Sequence, residues 1–266
     1  MYHNFVKCSD ILPDVLENIE TTYLSRAHVG DNQTGFKNLD LSLLGINKSE
    51  LVCIAGLPKT DPELLALNII SNLSKTKNKE LLIFNLSITS INRNLLELLS
   101  LSPTNKIINS LDISFDNMIS KIETFAAQAP NGLVFINGLD RFFSETIFTQ
   151  QNEIENCGLE LKRLARKLNI PIIVAINLKL KKEPKNIIPN ISDLGIYDIF
   201  ACTTDKLLTT FHYQNISNEY KQDYFINIAK NKSGVTGLYR YGVYLETEII
   251  CDAPCSKTYK SSYARR

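Results

Sequence analysis

Tryptophan is absent from this 266-residue chain, methionine occurs twice and histidine three times. The six cysteines, Cys8, Cys53, Cys157, Cys202, Cys251 and Cys255, form no CxxC pair and no cluster with histidine. That scatter excludes a zinc-site pattern and a disulfide framework, and it favours reduced structural thiols. Charge of one sign is also lacking. Lys and Arg number 29 against 28 acidic residues, a formal net charge of +1, so no global field draws the chain to nucleic acid. No apolar run approaches a membrane span, and Met1-Tyr-His-Asn-Phe-Val-Lys7 lacks the hydrophobic core of a signal peptide. The expectation is a cytoplasmic protein without membrane contact. With 44% hydrophobic and 21% charged residues, it has the composition of one large globular domain.

What is present is a strand, loop and helix in the order of a nucleotide-binding P-loop. The strand reads Leu51 to Ala55, and the helical pattern starts at about Pro62 and carries Leu64, Leu65, Leu67, Ile69 and Ile70. A triphosphate would be expected on that helix's N-terminus. The residues that grip phosphate are replaced. Across Gly56, Pro58, Lys59, Thr60, Asp61, Pro62 and Glu63, a loop of ordinary length puts Asp61, Pro62 and Glu63 where glycine, lysine and hydroxyl belong. Proline removes an amide donor and fixes φ, while Asp61 and Glu63 place carboxylates at the positive end of the helix. A phosphate held 4 Å from one such carboxylate would meet about 4 kcal/mol of repulsion at an effective dielectric of about 20. Two other readings stand beside this one. The segment is an ordinary strand-turn-helix, or Lys59-Thr60 serves as a displaced Lys-Thr pair.

Farther along, short β-rich runs alternate with helical patterns, which predicts an α/β fold with a mostly parallel sheet covered on both faces. Strands are expected over 51–55, 81–86, 133–137 and 170–176, and helices over about 62–75, 90–100, 114–128 and 149–168. After Leu194 the texture changes to strands at 206–213, 223–229 and 238–246, expected to extend the sheet antiparallel, with Gly234 and Gly237 in the last turn. Ser9-Asp10 opens an amphipathic helix with Ile11, Leu12, Val15, Leu16, Ile19 and Tyr23 on one face. The expected division is a linker-like N-terminal segment at 1–33, a main domain at 34–250 and a basic, disordered tail at 251–266.

Thr34-Gly-Phe-Lys-Asn-Leu-Asp40 followed by Gly45-Ile-Asn-Lys-Ser-Glu-Leu-Val-Cys-Ile-Ala-Gly56 resembles the entry to the RecA-like motor domain of DnaB-type replicative DNA helicases. The run from Leu159 to Ala175, then Pro189-Asn-Ile-Ser-Asp-Leu194 and Ala229-Lys-Asn-Lys-Ser-Gly-Val-Thr-Gly237, are similar to later landmarks of the same family. The resemblance implies a RecA-like P-loop NTPase fold. It also assigns the altered pocket residue by residue. The phosphate lysine falls on Pro62, the magnesium-binding hydroxyl on Glu63, the catalytic glutamate on Ser87, the magnesium-orienting aspartate on Asn137 and the phosphate-sensing glutamine on Asn177. All five departures weaken one reaction, because metal ligand, base and transition-state cation are lost together.

Two further features follow from the resemblance. Lys230 and Lys232 match a family lysine and arginine that reach into a neighbouring subunit's nucleotide site, and a solvated hairpin is the plain alternative. Lys179, Lys181, Lys182 and Lys185 fall where family loops line a DNA channel, although no aromatic residue interleaves with them to stack bases. Tyr259 and Tyr263, among the basic residues of the tail, are a second DNA-binding candidate. The expected protein is a non-hydrolysing helicase relative that binds a helicase ring, itself or single-stranded DNA, with no catalytic residue, metal or cofactor. ATP and magnesium enter only under a second reading, an active helicase rebuilt on Lys59, Thr60 and Asp140. A third reading is a self-assembling structural protein.

Overall fold

In the computed structural model, residues 12–13, 16, 32–56, 62–75, 79–86, 104–110, 112–143, 147–178, 198–212, 221–244 and 247–252 are described. Among the described residues nine strands are seen: β1 (Leu51–Gly56), β2 (Leu81–Asn85), β3 (Lys106–Asn109), β4 (Leu133–Asn137), β5 (Ile172–Asn177), β6 (Lys206–His212), β7 (Lys221–Asn231), β8 (Gly237–Tyr244) and β9 (Ile249–Asp252). They form one sheet in the order β3-β2-β4-β5-β1-β6-β7-β8-β9. Pairing from β3 through β6 is parallel, and β6-β7, β7-β8 and β8-β9 are antiparallel. The helices are α1 (Lys37–Leu43), α2 (Pro62–Lys75), α3 (Phe115–Gln128), α4 (Ile147–Leu168) and α5 (Asp198–Thr203), with a 3-10 turn at Leu139–Phe142.

The uninterrupted apolar runs of β1, β2 and β4 are buried on both faces, as a parallel sheet between helical layers requires. Alternate residues divide between two cores. Leu51, Cys53 and Ala55 pack with Met118, Ile122 and Phe125 of α3 and with Ile154, Leu161 and Leu164 of α4. Val52 and Ile54 face the other way, toward Leu39 and Leu43 of α1 and Leu65, Ile69 and Leu73 of α2. The segment before β1 is shaped by Asp40, whose carboxylate accepts from the Thr34 amide at 2.6 Å, the Thr34 hydroxyl at 2.7 Å and the Gly35 amide at 3.1 Å. Gly35 has φ 85°, and a Cβ there would stand 2.2 Å from the Asn72 side-chain nitrogen, so any other residue strains the backbone and displaces Asn72.

The fold matches the sequence expectation in class and in the parallel-then-antiparallel order, with differences that have local causes. The expected strand from Ile170 begins at Ile172 because the Ile170 amide donates to Ala165 at the end of α4 and Pro171 has no amide to give. Gly237 opens β8 rather than lying in the turn, and β9 carries residues 251 and 252 into the sheet beyond the expected boundary at 250. α1, β3, α5 and β9 span seven, four, six and four residues, too short to leave a periodic signature. The expected helix over 90–100 and the tail beyond 252 lie outside the described residues. Of the N-terminal amphipathic segment only Leu12, Pro13 and Leu16 are described, all helical, with Leu12 and Leu16 exposed at 55% and 56%.

At the amino edge of the sheet, charges placed just before two strands lock several elements together. Glu50 precedes β1 and accepts from the buried Lys206 ammonium at 2.5 Å, from the Asn47 amide at 2.8 Å and from the Ser233 hydroxyl at 3.1 Å. Lys206 also donates to the Gly45 carbonyl at 2.8 Å. Asp205 precedes β6 and accepts from the Leu51 amide at 2.9 Å, from Lys162 of α4 and from Lys232 at 3.1 Å. Burial pushes the Asp205 carboxyl up, but the bonds from Lys162, Leu51 and Lys232 outweigh it and hold the group below the usual carboxylate range. Two outcomes are expected in urea titrations. Lys206→Met leaves the Glu50 charge buried without its cation and lowers stability by about 3–5 kcal/mol. Because Asp205 has a depressed folded value, its contribution is complete above the unfolded pKa of about 3.9 and is lost as pH falls below it. Asp205→Asn, stepped over the same pH range, flattens that acid limb.

Candidate functional site

Of the residues that the sequence pattern singled out, Gly56, Asn137 and Asn177 lie at the carboxyl ends of parallel strands. Gly56 ends β1 and is paired with Asn177 at the end of β5 and with Thr210 of β6. Asn137 ends β4 opposite Asn85 of β2 and beside Ala175 of β5. In open α/β sheets this edge is where ligands bind. α2 starts at Pro62, with Glu63 as the acidic residue of its first turn, so the dipole end that would face a phosphate carries a negative side chain. Pro62 is buried, and its fixed φ suits the first helical position.

Asn137 and Asn85 are bonded to each other. The Asn137 amide donates to the Asn85 oxygen at 3.0 Å, with both residues buried. The Asn137 carbonyl accepts from the Leu86 amide at 2.9 Å, and Gly138, at φ 75°, then turns the chain into Leu139–Phe142. A carboxylate at Asn137 could not donate to the Asn85 oxygen, as the carboxamide does. Asn177 stands exposed at the end of β5. Asp140 sits within the 3-10 turn, off the strand end that Asn137 occupies.

Lys230 and Lys232 lie at the opposite edge of the sheet. Lys230 pairs with Leu207 in the register of β7 against β6, while Thr210 of β6 is the residue beside Gly56. Pro58, Lys59, Thr60, Asp61, Ser87, Lys179, Lys181, Lys182 and Lys185 lie outside the described residues. A separate groove of about 950 Å³, lined by Phe115, Phe142, Leu159, Arg163 and Arg166 among others, runs between α3, the 3-10 turn and α4 and contains none of the strand-end residues.

The donor set can be tested against magnesium and a nucleotide triphosphate. Gly56, Asn85, Asn109, Asn137, Asn177 and His212, the described ends of the parallel strands, offer no carboxylate for a cation, and the described start of α2 offers an acid and no lysine to phosphate. These residues do not fit a magnesium nucleotide bound in the P-loop manner. Sequence reasoning identified Asn137 and overlooked its partner. The signal was present in the repeated ending of two strands, Ile83-Phe84-Asn85 and Phe135-Ile136-Asn137.

The amide pair generates a stability prediction. Asn137→Leu removes the buried bond to the Asn85 oxygen and costs about 1–3 kcal/mol in urea unfolding. Adding Asn85→Leu costs less than the sum of the two single changes, because both single changes remove the same bond.

Comparison with known proteins bears on the whole domain. Residues 100–247 match the family described as DnaB-like helicase C terminal domain. The chain is similar to the replicative DNA helicase DnaB of Geobacillus stearothermophilus, 24% identical over 267 aligned positions that cover 88% of this chain and 59% of that protein. A probable replicative DNA helicase of Trieres chinensis is 27% identical over 242 positions, 77% of this chain and 53% of the other. The chain therefore spans a little over half the length of these relatives. In fold it resembles a DnaB-like replicative helicase solved for its interactions with primase, with a TM-score of 0.75 at 19% identity over 94% of this chain and 68% of that one.

Proposed function

This chain belongs to the family of DnaB-like helicase C-terminal domains, and from that membership we propose that it is a non-hydrolysing relative of replicative helicases that acts by binding. The single observation that carries the reading is the amide bridge from Asn137 to Asn85. Family resemblance puts a metal-orienting carboxylate at Asn137, and here the position is neutral, buried and engaged with its neighbour. Pro62 and Glu63 at the start of α2 support the same reading, since they replace a cation and a hydroxyl with a ring and an acid.

The partner proposed is a ring of hydrolysing helicase subunits or further copies of this chain. Exposed Leu12 and Leu16, one helical turn apart, support an association through the N-terminal segment. Contact of Lys179, Lys181, Lys182 and Lys185 with single-stranded DNA is a subsidiary proposal, resting on their charge alone, and it predicts an affinity that falls steeply with salt.

The deciding experiment measures ATP turnover by the purified chain with magnesium, with and without single-stranded DNA. No DNA-stimulated hydrolysis above the buffer rate is expected. Asn137→Asp by itself leaves turnover at zero, because the phosphate lysine is still missing. Appreciable DNA-stimulated hydrolysis that Lys59→Ala abolishes would replace this reading with an active helicase built on a rearranged loop.

A further inference from the structure

Lys230 and Lys232 leave the same side of the β7–β8 hairpin, and both are taken up by one short stretch of their own chain. The Lys230 ammonium donates to the carbonyl oxygens of Ala201 at 2.6 Å and Cys202 at 3.1 Å, in the last turn of α5. Lys232 forms an ion pair with Asp205 at 3.1 Å, and its backbone amide donates to the Asp205 carbonyl at 3.0 Å. Helix-end carbonyls carry partial negative charge and want donors, so Lys230 is a cap for α5. Asp205 is fixed from behind by the Leu51 amide and Lys162, which makes it a rigid acceptor. The tip of the hairpin is fastened too, since Asn231 donates to the Ser42 carbonyl at 2.8 Å and Ser233 to Glu50 at 3.1 Å. At Gly234 a Cβ would meet the Ser42 carbonyl oxygen at 2.2 Å, so the turn lies directly on the end of α1.

We infer that Ala201–Asp205 is a clamp within the protomer that withholds Lys230 and Lys232 from the nucleotide of any neighbouring subunit. The inference rests on the binding role proposed above and deepens it. A lysine that could complete an adjacent site must swing out from the edge of the sheet, and here that movement breaks two carbonyl bonds at Lys230 and an ion pair at Lys232. The lysines also lie far from their own chain's cleft. From Lys206 to Thr210, β6 rises four residues, roughly 13 Å, between the clamp and Gly56. The chain is then inert on both sides of an interface. Its own cleft lacks the groups for hydrolysis, and its cations are held back from the cleft next to it. A ring that incorporated one copy would lose two sites.

The test uses the full chain with lysines labelled with nitrogen-15, observed by NMR at neutral pH and at protein concentrations where copies associate. Protons on the Lys230 ammonium are expected to exchange at least about tenfold more slowly than those of exposed Lys121, as a doubly bonded cation requires. The resonance is assigned by its loss in Lys230→Arg. Adenylyl imidodiphosphate with magnesium is expected to move neither lysine. Asp205→Asn shifts Lys232 and spares Lys230, and where that variant fails to fold the wild-type measurements decide. Free exchange at Lys230, or a shift of either lysine on adding the nucleotide analogue, overturns the clamp. Should the pure chain turn over ATP while both lysines stay in place, the non-hydrolysing reading falls and the clamp stands.

Discussion

Asp205 is the point on which the amino edge of the sheet turns. One carboxylate joins the start of β1 through the Leu51 amide, helix α4 through Lys162 and the β7–β8 hairpin through Lys232, while its own backbone leads into β6. Beside it, Glu50 and Lys206 tie the same strands to Gly45 at the end of α1. The buried charges of Asp205, Lys162, Glu50 and Lys206 are costly unless all are matched, and here they are matched by elements that come from distant parts of the sequence. Register at this edge follows from that matching. A shift of β6 by one residue would bury Asp205 away from its partners and turn the Lys206 side chain to the wrong face.

Fixing the amino edge leaves the carboxyl edge to present whatever the strand ends carry. In a RecA-like sheet that edge is built to meet a nucleotide, and among the described residues the parallel strands here end in one glycine, four asparagines and one histidine, beside a helix that starts with proline and glutamate. The scaffold and the chemistry are separable. Apolar strand interiors hold the fold through two cores, so a strand end can lose a reactive group without removing the domain. The amide bridge between Asn137 and Asn85 goes further, since under the proposed reading it makes a structural contact of a ligand position.

Much of this was legible in the sequence. The all-apolar strand interiors and the long amphipathic helices announced a covered parallel sheet, and α2 has the bounds read from its pattern, 62–75. The end of β4 at Asn137 and the helix start at Pro62 and Glu63, on which the proposed loss of chemistry rests, could be placed from the same pattern. What escaped was long-range. Asn85 gains meaning only when β2 and β4 lie side by side in register, and the pair of Glu50 with Lys206 joins residues 156 positions apart. A lysine next to an aspartate before a strand looks like a solvated turn, and only the packing of α1, α4 and the hairpin around it makes it a buried node. Lys230 and Lys232 illustrate the same limit, because spacing supplied a hairpin with two cations while the carbonyls of Ala201 and Cys202 decided where one of them points.

Calorimetric titration of magnesium ATP into the purified chain addresses the central claim most directly, since it asks whether the altered edge holds nucleotide at all. The account predicts no saturable, magnesium-dependent heat. A stoichiometric binding isotherm that disappears when magnesium is chelated would contradict it.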